Sequence, residues 1–170
     1  MIYAIGIIAV ILGVALDQYT KYLAILHLQE NPISLIEGVF ELRYLENRGA
    51  AFGLFQNQQF FFLVVGSITL FFVAYLYIRM PQTKRFLSLR ICMISITAGA
   101  IGNMIDRIRF QYVVDFLYFE LIDFPIFNVA DIFATVATFG LVILLLFYYK
   151  EEDIDELFQL MTLKRKTRKE

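Results

Sequence analysis

The sequence predicts an all-α membrane protein, with four transmembrane helices and a small β-rich outer-face subdomain in the first extracytoplasmic loop. Three observations carry this prediction. The 170 residues are 59% hydrophobic and 18% charged, against about 25% charged in an ordinary soluble domain, and the mean hydropathy is +0.67. Four apolar runs are long enough to cross a hydrocarbon core of about 30 Å at about 1.5 Å per residue. Between the first two runs, Val39, Glu41, Leu42, Arg43 and Tyr44 belong to a stretch, 33–45, in which apolar and polar residues alternate as in short strands at a membrane surface.

The chain reads as one integral membrane domain over 1–170. Its first span covers 2–26. The apolar run at its start could be a secretory leader, but no basic segment precedes it and no small-x-small cleavage site follows, so it is expected to be retained. Asp17, Gln18 and Lys21 interrupt its later part. Asp17 and Lys21 are four apart and share a helix face. They can form a self-neutralised pair with Lys21 snorkelling to the interface, or Asp17 can face the bundle interior as part of a site.

The outer loop 27–59 opens with His27, read as a solvated loop residue, and the turn signal Asn31-Pro32. After the strands comes Glu46-Asn47-Arg48-Gly49-Ala50-Ala51-Phe52-Gly53, whose small residues allow close backbone approach or positive φ. The second span, 60–78, contains no charge. A short basic loop, 79–87, surrounds Pro81 and leads into the third span, 88–106, near whose start Arg90 is expected to snorkel. Cys92 in that span reads as a small buried hydrophobe. The second outer loop, 107–127, holds Asp115 and the turn residue Asp123. The fourth span is 128–149, and the tail 150–170 carries an acidic run at 151–156 and a basic run at 164–169.

Lys and Arg counts orient the chain. The 79–90 segment and the tail together hold ten, whereas Arg43, Arg48, Arg107 and Arg109 are the four in the other two loops. The excess places both termini and the 79–87 loop in the cytoplasm. Asp17, Asn47, Asp106, Asp115 and Asp131 then converge on the outer membrane surface.

Several function classes are excluded. No basic stripe interleaved with aromatics points to nucleic acid. A single cysteine makes neither a disulfide framework nor a thiolate metal cluster. No serine lies in a Gly-x-Ser-x-Gly turn, and no His-Glu-x-x-His ligand set is present. Carboxylates at membrane depth are what remain, and such groups are costly enough to ask for a functional explanation. Two carboxylates held close share one proton. The ionised member can then deprotonate an attacking water while the protonated member polarises a peptide carbonyl, with no metal or cofactor.

The pair lies among Asp17, Asp106, Asp115, Asp123 and Asp131. Asp106, beside Arg107 and near Asn103, reads as a salt-bridge group, which favours Asp115 and Asp131 without excluding another pairing. A small proton-coupled carrier is the rival reading. It predicts internal repeats or broken spans, whereas Pro32, Pro81 and Pro125 all lie in loops. A structural scaffold would leave the convergence of polar clusters unexplained.

Five motifs, Asp17-Gln-Tyr-Thr-Lys21, Asn47-Arg-Gly-Ala-Ala-Phe52, Gly102-Asn-Met-Ile-Asp-Arg107, Val113-Val-Asp-Phe116 and Phe127-Asn-Val-Ala-Asp131, together resemble the lipoprotein signal peptidase (signal peptidase II) family. The resemblance implies an aspartic peptidase of the bacterial cytoplasmic membrane that cuts lipid-modified prolipoproteins before the diacylglyceryl-cysteine and is blocked by globomycin. It places the catalytic dyad on Asp115 and Asp131. It assigns support of dyad and substrate to Asp17, Lys21, Asn47, Gly49, Asn103, Asp106, Arg107 and Asn128, and it implies a small sheet in the first outer loop. The sequence departs from the usual pattern in Ile132-Phe-Ala-Thr135, which follows the last motif, and in the short acidic loop 117–127. Both bear on substrate fit rather than on the dyad.

Overall fold

A computed structural model of the chain describes residues 1–49 and 54–161. The run at 50–53 and the basic run at 164–169 lie outside the described residues. Four helices are long and apolar enough to cross a membrane. They are α1 (Ile2–His27), α2 (Gln59–Arg79), α3 (Leu87–Phe110) and α4 (Val129–Ile143), the last prolonged by a π-helical turn, Leu144–Tyr148. Isoleucine, leucine and phenylalanine cover their outward faces, with Ile68, Phe71 and Phe139 each well over half exposed. Such surface is costly in water and neutral against lipid tails.

The helices pack around α3, which carries the small residues Ala98, Gly99 and Gly102 on its buried side. A side chain at Gly99 would run into the carbonyl oxygen of Ala130 on α4, and one at Gly102 into the Asp17 carboxylate on α1. Without a hydrophobic drive inside the bilayer, helices associate by such close backbone approach.

At one end of the bundle lies a three-stranded antiparallel sheet in the order β1 (Ile33–Ile36), β2 (Phe40–Asn47), β3 (Val113–Tyr118). Gly38, at φ +70°, makes the tight turn between β1 and β2. The first two strands are those the alternation predicts. The third falls where a loop is expected, and α3 runs on to Phe110 before Gln111 closes it in the left-handed conformation. β3 escapes a sequence reading because Val113 to Phe116 are all buried. It lies between β2 and the helices, so it shows an apolar run rather than alternation. Ala24, Leu28, Val114 and Phe116 form the core beneath the sheet.

A second core of Met80, Phe86, Leu89, Met93 and Tyr149 closes the other end. Here the structure corrects one expectation and adds one element. Arg90 does not snorkel: it is 1% exposed and donates to the carbonyl oxygens of Tyr77 (3.2 Å) and Met80 (2.6 Å), serving as a cation at the C-terminus of α2. The acidic run after Lys150 forms a fifth helix, α5 (Glu151–Met161). Arg85 forks onto Asp153, with Nη2–Oδ2 at 2.7 Å, and holds that carboxyl below the usual range. Cys92 is half-buried in α3 and His27 is exposed at the end of α1.

Gly102→Ala pushes a methyl group into the Asp17 carboxylate and the Ala130 side chain. We expect a loss of about 1–3 kcal/mol, the usual cost of overpacking, read as a lower unfolding midpoint in detergent. An unchanged midpoint would show that α1 and α3 yield freely there.

Candidate active site

The site is assembled in two layers at the sheet-bearing end. The deeper layer is a buried ionic frame. Lys21, 2% exposed, places Nζ 3.0 Å from Asp17 Oδ2 and 2.9 Å from Asp106 Oδ2. Both carboxylates are also essentially sealed, at 0% and 1% exposed. Each takes a backbone N–H from a second element: Ala130 in the first turn of α4 donates to Asp17 Oδ1 (2.9 Å), and Val114 in β3 donates to Asp106 Oδ2 (3.1 Å). The frame thus ties the start of α4 and the strand β3 to α1 and α3. Gln18 completes it, donating to Asp106 Oδ1 at 2.8 Å and to the Gly102 carbonyl at 3.2 Å.

Of the two readings of Asp17 and Lys21, the structure takes the one facing the bundle interior: Lys21 turns inward because two carboxylates await it. Asp106 pairs with Lys21 and not with Arg107, because neighbouring residues of a helix do not face each other. Gln18 was passed over in the sequence. Its place between Asp17 and Lys21 was visible, but its partners on α3 were not.

The second layer holds Asp115 from β3 and Asp131 from the first turn of α4, both lining one cleft of about 480 Å³. Three carboxamides orient them. Asn47 Nδ2 donates to Asp115 Oδ2 (2.8 Å), reaching diagonally across the β2–β3 pair, while its Oδ1 takes the Gly49 N–H (2.9 Å). Asn128 Nδ2 donates to Asp115 Oδ1 (2.6 Å), while its Oδ1 accepts from Asp131 N (2.9 Å). Asn103 Nδ2 donates to Asp131 Oδ1 (2.8 Å), while its Oδ1 faces Lys21 Nζ (2.8 Å). Each amide therefore has its oxygen committed to another donor, which fixes its NH₂ on the carboxylate side, and the Asn128 NH₂ also donates to Asn103 Oδ1 at 3.2 Å.

Local sequence explains the α4 half. Asn128 caps the helix and Asp131 returns a bond to the Asn128 N–H at 3.1 Å, a reciprocal capping box. Phe127 delivers it, exchanging backbone hydrogen bonds with Leu117 at 2.8 and 3.0 Å along the free edge of β3. Asp123 is the left-handed turn residue the sequence predicts.

Asp115 is 1% exposed. Burial, reinforced by the charge of Asp131, pushes its carboxyl up to about 7, against the lowering influence of the Asn47 and Asn128 hydrogen bonds. Arg107 also lines the cleft, its guanidinium 4.5 Å over the Phe62 ring and its Nη2 donating to the Gly49 carbonyl at 3.3 Å. Among the described residues no carboxylate stands within ion-pair distance of it. Apart from Thr135, the rest of the wall is apolar, including Val113, Ile126, Ile132 and Val136. All ten residues singled out in the sequence thus meet at this end, Asp17, Lys21 and Asp106 in the frame and the others around the cleft.

Lys21→Met leaves two sealed carboxylates without their cation. We expect a loss of about 3–5 kcal/mol, measured by chemical denaturation in detergent. Stability within error of the parent chain would mean the frame is not needed for folding.

Comparisons with known proteins identify the family. The family model described as Signal peptidase (SPase) II matches residues 8–147. A lipoprotein signal peptidase of Clostridium tetani (strain Massachusetts / E88) is 41% identical over 155 residues, covering 88% of this chain and 96% of that protein. One from Streptococcus pyogenes serotype M1 is 38% identical over 148 residues, covering 86% and 94%. Among solved structures, a bacterial membrane enzyme determined at 2.3 Å by the in meso method superposes with a TM-score of 0.75 at 28% identity, covering 98% of this chain and 95% of the other. A second, at 1.9 Å, gives 0.76 at 30% identity, covering 86% and 95%. A carboxylate-lined cleft at one end of four membrane helices, and relatives aligned nearly end to end, lead to one conclusion: the chain belongs to the signal peptidase II family, multi-pass bacterial membrane peptidases that remove signal peptides from lipoproteins.

Proposed function

We propose that the chain is an intramembrane aspartic endopeptidase whose dyad is Asp115 and Asp131. The observation that carries this is a pair of carboxyls, Asp115 buried and Asp131 half-buried, delivered by different elements to one largely apolar cleft and held by three amides. The pair shares one proton. The ionised member takes a proton from water as the water oxygen bonds to the peptide carbonyl carbon, and the protonated member gives its proton to the carbonyl oxygen. Collapse of the tetrahedral adduct breaks the C–N bond, and the amine leaves with a proton returned by the dyad. The proton belongs to the pair rather than to either residue.

The substrate is a diacylglyceryl-modified prolipoprotein cut on the N-terminal side of the modified cysteine. The apolar wall of the cleft suits acyl chains, and the Arg107 guanidinium, which lines the cleft and stacks on Phe62, supports a role in binding substrate carbonyls. Globomycin-type cyclic peptides compete for the same cleft, and membrane lipids surround the four helices. The Lys and Arg distribution supports cytoplasmic termini and a cleft near the outer face. A proton carrier gains nothing from this geometry, because the carboxylates gather at one end of the bundle instead of crossing it.

The test uses purified enzyme and a lipid-modified prolipoprotein. Asp115→Asn and Asp131→Asn each abolish release of the signal peptide and remain folded; near-normal cleavage by either removes that residue from the dyad. Activity falls as pH rises above about 7, when the shared proton is lost. The folded-state value lies above the free carboxyl's of about 3.9. Stability therefore also declines as pH rises through that interval. A rate that stays flat to pH 9 would contradict the shared proton. For orientation, a reporter fused to the C-terminal end of the chain is active in the cytoplasm, and an external signal reverses the assignment.

A further inference from the structure

One face of α3 links the cleft to a second hollow: in steps of three or four it runs from Arg107 and Asn103, which line the cleft, through Ala100 to Ile96, Met93 and Leu89, which line the hollow. At the far end α2 supplies Val73 and Leu76 and α4 supplies Leu141 and Leu145, around a second apolar hollow of about 420 Å³. Its end is closed by Ile154, Leu157 and Phe158 of α5. This helix begins beyond residue 147, where the match to the family ends. It is fixed in place by the Arg85–Asp153 fork, by Tyr149 Oη donating to the Arg85 carbonyl at 3.2 Å, and by Phe86 stacked on Tyr149 at 5.5 Å.

We propose that this far hollow receives the N-terminal half of the substrate's signal peptide, and that α5 is its end-stop and reads its basic n-region. The inference rests on the peptidase reading above. Two features of a signal peptide fit. Its apolar core is about 7–15 residues long, or roughly 10–22 Å as a helix. Asp131 and Leu145 lie about 21 Å apart along the helix, so a core at the long end of that range whose C-terminal end reaches the dyad brings its N-terminal end to α5. There the n-region carries Lys and Arg, and α5 turns the exposed carboxylates of Glu151, Glu152, Asp155 and Glu156 away from its apolar side. Asp153 is already taken by Arg85 and is not among them. The α3 face shared with the candidate site and the opposite charge at its end select this occupant over bulk lipid, whose acyl chains would have no use for the carboxylates.

The experiment compares two prolipoproteins identical except that n-region Lys and Arg are replaced by Gln in one. Full-length enzyme and a variant carrying Glu151→Gln, Glu152→Gln, Asp155→Asn and Glu156→Gln are assayed on both. In the parent enzyme the Gln substrate has a KM roughly fivefold higher, the size expected of a few exposed ion pairs acting together. In the variant this KM ratio falls to near one. Because both substrates are cleaved by the same preparation, the ratio is independent of how much enzyme is folded. A parent enzyme that does not distinguish the substrates, or a variant that keeps the parent ratio, overturns the role of α5. Absence of cleavage of both substrates by the parent enzyme instead overturns the peptidase reading on which it rests.

Discussion

The ammonium group of Lys21 is the interaction on which the rest depends. It lies sealed among Asp17, Asp106 and Asn103, and each of those partners reaches a different part of the site. Asp17 holds the first turn of α4, Asp106 holds β3, and Asn103 turns its amide toward Asp131. One cation thereby sets the positions of both candidate catalytic carboxyls without touching either. Buried ion groups are a poor source of stability in themselves, since desolvation consumes most of the attraction. They are well suited to specifying a single arrangement, and here the arrangement joins α1, α3, α4 and the sheet.

That frame requires close helices, which explains the small residues of α3. With side chains at 99 and 102, α4 and α1 would be held away, and the Asp17–Ala130 and Lys21–Asp106 contacts could not form together. Packing and electrostatics are therefore one constraint. The absent side chains at Gly99 and Gly102 create the space, and the ionic frame fills it with groups whose geometry admits few alternatives.

The two ends of the bundle carry different kinds of order. At the sheet end, buried polar groups are nearly all matched by oriented partners. At the other end the core is apolar and aromatic, and its sealed cation, Arg90, gives its Nη1 and Nη2 to helix-terminal carbonyls instead of carboxylates. The candidate catalytic groups lie at the first end, and the second supplies an apolar closure.

The sequence by itself determined the membrane class, the four spans to within a few residues, the first two strands and ten of the residues gathered at the candidate site, with the choice of dyad resting on the resemblance of the motifs. These are legible because apolar length, alternation and the cost of charge in lipid are properties of local sequence. It left open how those residues pair. Asp106 adjoins Arg107 in the chain yet bonds Lys21 across the bundle. Gln18 looked like a bystander, and Asp115 sat in an apparent loop. Arg90 was expected at the interface and is buried. Each of these depends on which helix faces which, and that is decided by close packing at Gly99 and Gly102 and by the pairing of β3 with β2. Such contacts join residues tens of positions apart, so no local pattern encodes them and only the tertiary structure could assign them.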